Sequence, residues 1–185
     1  MNKTKKLTLS AMVTALGVLF MALGAVLAVL DLSTATLASL LMCFVYLELG
    51  SPYTWLVWLA TALLSFVMFP GSFMWLSYLL VFGVYPIIKG YIERLPRLCW
   101  IPIKLLFVNV MMTVMLLFSE VLIGVSFFGD VSNVHIGSWF IDPRIIYAAI
   151  WVLLNAAFML FDRLIVVLVI WYQRKLRPRF ANLLK

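Results

Sequence analysis

Glu48, Glu120 and the adjacent pair Asp162-Arg163 stand inside long apolar runs. An ionisable group there is costly and marks a functional position by default. Catalysis by such groups needs a second partner at the same depth, either an acid–base pair, a His base or a metal cluster. The seven acidic residues are dispersed along the chain, His135 is alone, and Cys43 and Cys99 lack metal-ligand spacing and are expected to be free thiols. No GxxxxGK[ST] phosphate loop is present. No catalytic residue, metal site or cofactor is therefore expected. For the inner group the expected role is an ion pair: Arg163, followed by LIVVLVIW, should pair with Glu48 or Asp162 and fix the second and last helices.

A second set of polar groups points to binding. Glu120 falls in the outer part of the fifth apolar run, and the connection FFGDVSNVHIGSWFIDPR carries Asp130, Asn133, His135, Trp139, Asp142 and Arg144. With Phe73, Trp75 and Tyr78 it could enclose a small ligand within apolar walls bearing a few polar contacts. The candidate ligand-binding residues are Glu120, Trp75, Tyr78, Asn133, Trp139 and Arg144. An interfacial aromatic belt is the alternative for Trp75 and Trp139. Asn109 and Asn155 fit hydrogen bonding between helices.

The elements that hold these residues are set by composition. The 185-residue chain is 66% hydrophobic and 11% charged, with a mean hydropathy of +1.14. A span takes about 20 apolar residues. Breaks at Asp31 with Ser33, Gly50-Ser51-Pro52, Pro70-Gly71-Ser72, Ile92 to Trp100 and Gly129 to Pro143 leave six spans, near 8–30, 34–50, 53–69, 73–91, 101–126 and 144–172. The expectation is an all-α integral membrane bundle forming a single domain over residues 1–185. The first run exceeds the 7–15 apolar residues of a secretory signal core and reads as a retained helix.

Lys and Arg near span ends favour the cytoplasm. Lys3, Lys5 and Lys6, then Lys89, Arg94, Arg97 and Lys104, then Arg174, Lys175, Arg177, Arg179 and Lys185 fall on one side when six helices cross, which puts both termini in the cytoplasm. The formal net charge of +7 therefore reads as a topology signal, with no nucleic acid as partner. Pro86, Gly90, Pro96 and Pro102 interrupt the segment VYPIIKGYIERLPRLCWIPIK. That segment is expected to leave the bilayer and run along its surface, with Lys89, Arg94 and Arg97 on anionic headgroups.

The first helix carries Ala11, Ala15, Val18, Ala22, Ala25 and Val29 along one stripe, with Ser10, Thr14, Gly17, Gly24 and Ala28 beside it. Small residues four apart let helix backbones approach closely. Ala11, Ala15 and Ala22 form the expected partner-docking face, the alternative being a helix of the same chain. The basic N-terminus, the Ala-xxx-Ala pair, the Asp-Leu-Ser turn opening the second helix and six spans with both ends inside together resemble the substrate-binding S components of energy-coupling factor (ECF) transporters. The resemblance covers residues 5 to about 175. It implies capture of a vitamin or small metabolite at the bacterial cell membrane. It also implies docking through Ala11 and Ala15 onto a transmembrane coupling protein driven by two ATPase subunits. The Met-His N-terminus of the nickel and cobalt members is absent, which disfavours metal uptake. A six-span scaffold resembling the MreD family of cell-shape proteins is the alternative function.

Overall fold

The computed structural model describes residues 2–27, 31–118, 121, 135–136, 139–140 and 143–177. Its helices are α1 (Lys3–Val26), α2 (Asp31–Leu49), α3 (Ser51–Met68), α4 (Phe73–Ser77), α5 (Tyr85–Ile92), α6 (Trp100–Phe118) and α7 (Pro143–Trp171). A π-helical turn, Tyr78–Phe82, lies between α4 and α5, and another, Tyr172–Leu176, extends α7. Two short strands, β1 (His135–Ile136) and β2 (Trp139–Phe140), pair antiparallel before α7. Six helical segments are long and apolar enough to cross a membrane, so the chain is a multi-pass membrane protein.

Local chemistry explains where the segments break. Gly50 adopts φ +85°, a backbone conformation open to glycine, and the following Pro52 sits in the first turn of α3, where its missing N–H costs nothing. Ser72 opens α4 by accepting the Met74 N–H at 3.2 Å. Pro86 likewise occupies the first turn of α5, so α5 continues the fourth span. The whole 84–104 segment therefore does not run along the surface as the prolines implied. Residues 85–92 form a helix with Tyr85, Ile87 and Lys89 buried, and only 93–99 form an exposed connection.

That fourth span, Met74–Ile92, is the axis of the bundle: 67% of it is buried, against 11% for the fifth. The wide turn at Tyr78–Phe82 is closed by the Gly83 N–H donating to the Tyr78 carbonyl at 2.7 Å, and the Leu79 carbonyl accepts from the Trp58 indole at 3.3 Å. One core lies where α1 to α4 converge, around Met21, Ala35, Met42, Val57 and Tyr78. The other gathers α6 and α7 onto the axis through Val81, Tyr85, Val108, Phe158 and Ile165. Tyr85 meets Phe158 edge-on at 4.6 Å and stacks on Phe107 at 5.8 Å. Cys43 and Cys99 are both free.

Helix α1 enters the first core through Ser10, Val13, Gly17, Met21 and Gly24, residues three and four apart. Gly24 allows the closest approach, since a Cβ there would lie 2.3 Å from both Thr34 Oγ1 and Met74 Cε. Gly24→Val is expected to lower stability by about 1–3 kcal/mol through overpacking. Gly71→Ala, at a position with nothing within 4 Å, is the neutral control in the same thermal unfolding measurement in detergent.

Candidate functional site

The buried polar chemistry converges on Asp162, in the C-terminal half of α7. On α5, Tyr85, Lys89 and Glu93 follow one another at four-residue intervals and so share a face, with Glu93 just past the helix end. That face meets α7. The Tyr85 hydroxyl and the Lys89 ammonium both donate to Asp162 Oδ1, and Lys89 also reaches the Asp162 backbone carbonyl at 3.2 Å. From the first turns of α6, Lys104 donates to Oδ1 at 3.0 Å and to Oδ2 at 2.8 Å. Glu93 completes the group, 3.3 Å from Lys89 and 3.9 Å from Lys104.

Two ammonium groups thus meet two carboxylates, and the cluster is formally neutral. Asp162, Lys89 and Lys104 are buried, whereas Glu93 is 38% exposed and forms the open side. Charges removed from water are tolerated only when paired and hydrogen-bonded. One carboxylate here ties α5, α6 and α7 together. Lys89 was expected at lipid headgroups, but the continuation of the fourth span through Ile92 carries it into the protein instead.

Arg163 pairs with neither Glu48 nor Asp162. Adjacent helical positions lie 100° apart, so a helix that turns Asp162 inward turns Arg163 outward. Arg163 is exposed and makes no ion pair among the described residues. Arg163→Leu is accordingly expected to leave the detergent unfolding temperature unchanged, and a clear drop would return that side chain to a structural role. Glu48 instead accepts the Tyr172 hydroxyl at 3.0 Å and lies 3.4 Å from Arg177 Nε. With the edge-on Phe44–Tyr172 contact at 5.5 Å, it joins the end of α2 to the extension of α7.

Near the middle of both helices, Asn109 and Asn155 link α6 to α7: the Asn109 amide donates to Asn155 Oδ1 at 3.0 Å. The Trp151 indole adds a donor to Asn109 Oδ1. Sequence had named both asparagines for this purpose, but it gave no sign of Trp151.

The six candidate ligand residues are not assembled among the described residues. Trp75 is buried, donates its indole N–H to the Pro70 carbonyl at 3.1 Å and packs on Phe66 at 4.8 Å. Tyr78 is buried in the first core. Arg144 is exposed in the first turn of α7, and Trp139 belongs to β2. Glu120 and Asn133 lie outside the described residues. A recess of about 200 Å³ between α3 and the fourth span is lined by Leu59, Ala62, Leu63, Phe66, Trp75 and Leu79. It offers no charged group for a polar metabolite. Among the described residues no group of three His, Cys, Asp or Glu could hold a metal ion.

The docking face can now be placed. Ala11 and Ala15 are exposed, about a third of a turn from the packed Gly17–Gly24 stripe, and Ala22 is half-buried. Among the described residues, α1 packs Gly17 and Gly24 inside the chain and leaves that alanine pair uncovered. No family model matches this chain, and no curated protein or solved structure matches it.

Proposed function

We propose that this protein is the substrate-capture subunit of an ECF-type importer of a vitamin or small metabolite in a bacterial cell membrane. It docks through Ala11 and Ala15 onto a membrane coupling protein driven by two partner ATPases. The observation that carries the reading is the division of labour on α1: Ser10, Gly17 and Gly24 pack inside the chain while Ala11 and Ala15 stay exposed. In a bilayer, helices associate through close packing of small residues, because lipid tails are as apolar as Leu. An uncovered Ala-xxx-Ala pair is suited to a second membrane helix.

Charge supports the orientation this function needs. Lys3, Lys5, Arg94, Arg97, Arg174 and Lys175 are exposed at the N-terminal end of α1, between α5 and α6, and beyond α7. The positive-inside rule then puts α1's alanine pair near the cytoplasmic face, within reach of a partner that couples to ATPases. The ligand enters from the opposite side, where α7 begins with Arg144 in its first turn.

The test is isolation of the tagged protein from its native host in mild detergent, with partners identified by mass spectrometry. Recovery of one coupling membrane protein and two ATPase subunits is the expected result. Recovery of cell-shape proteins in their place would replace this reading with the MreD-like scaffold.

A further inference from the structure

The seven residues 93–99 between α5 and α6 are all exposed, and Leu98 is the most exposed large apolar side chain described, at 93%. The loop is nevertheless held in a defined shape. The Trp100 indole donates to the Leu95 carbonyl at 2.8 Å, the Cys99 N–H donates to the Pro96 carbonyl at 3.0 Å, and the Arg94 guanidinium lies 5.3 Å from the Tyr91 ring centroid. Arg94 and Arg97 flank Leu95 and sit beside Leu98. Their nearest acid in sequence, Glu93, is committed to Lys89 and Lys104, so neither guanidinium has a carboxylate partner among the described residues.

We propose that this loop is a binding site for the phosphate of an anionic phospholipid, independent of the transport reading. Both of its ends are membrane-spanning helices, and Trp100, with an apolar ring and a polar N–H, fixes it at headgroup depth. Leu98 enters the upper acyl region, where its exposure costs nothing. Arg94 and Arg97 present planar donor forks that match phosphate oxygens. Glu93 leaves the site cationic by pairing with the lysines: together with Asp162 it neutralises Lys89 and Lys104, and both arginines are left to the lipid. An acidic protein surface would find the same charges, but it would have to cover Leu98 at a depth that lipid already occupies.

The test is titration of the purified full-length protein in nonionic detergent with phosphatidylglycerol or phosphatidylcholine, counting bound lipid by native mass spectrometry. At about 1 kcal/mol for each basic residue, Arg94→Gln/Arg97→Gln should weaken phosphatidylglycerol binding about thirtyfold. The same change should leave phosphatidylcholine binding unaltered. Arg163→Gln, an exposed arginine elsewhere on the inner half, should have no effect, and a double Arg→Lys variant should lose less than the double Gln variant. Equal phosphatidylglycerol affinity in wild type and the double Gln variant would overturn the proposal. Displacement of the lipid by inorganic phosphate alone would make this a soluble-anion site and would also overturn it. So would retention of lipid affinity together with loss of a co-isolated protein.

Discussion

Replacing Ala11 and Ala15 together by Leu is expected to abolish complex formation while the protein still inserts and unfolds at its wild-type temperature. Each Leu adds bulk to a surface that no described residue covers, so the first core, entered through Val13, Gly17, Met21 and Gly24, is untouched. A partner helix seated on the alanines would be pushed away by the added side chains, and close packing is most of what holds helices together in lipid. A loss on the order of a hundredfold in partner affinity, near 2.7 kcal/mol, is the size to look for. The measurement is partner yield per tagged protein, alongside thermal unfolding of the isolated chain. A parallel fall in both would mean that the alanines serve the fold.

Asp162→Asn carries the largest expected effect on stability. The substitution removes the charge that accepts from Tyr85, Lys89 and Lys104 and leaves two buried ammonium groups with Glu93, which is partly exposed and at 3.9 Å from Lys104. Breaking a buried ion pair by deleting one partner costs about 3–5 kcal/mol, because the remaining charge is stranded. Lys104→Met should cost less, since Lys89 still neutralises Asp162. Denaturant titration in mixed micelles would report both differences. An Asp162→Asn protein as stable as wild type would show that the cluster adds no stability.

The helices were legible because the apolar runs are long and their punctuation is chemically clear. Predicted spans such as 34–50 and 53–69 differ from Asp31–Leu49 and Ser51–Met68 only at their ends. The charge cluster was not legible, since Lys89 and Lys104 lie 73 and 58 residues from Asp162 in sequence. Both lysines also sit near span ends, where a basic residue ordinarily marks topology. Pro86 misled for a related reason: a proline in the first turn of α5 has the same sequence appearance as one that ends a helix. For α1, composition identified a thin side but not which part of it is used. Gly17 and Gly24 face Thr61, Thr34 and Met74 only because α2, α3 and α4 approach from that direction, which is a property of the tertiary arrangement.

The most direct measurement is site-specific photocrosslinking in native membranes, with a benzophenone amino acid installed at Ala15 and, as a control, at the exposed Leu56 of α3. The account predicts a crosslink from position 15 to a membrane coupling protein that co-isolates with two ATPases, and none from position 56. Crosslinks from position 15 to lipid alone, or to a cell-shape protein, would contradict it.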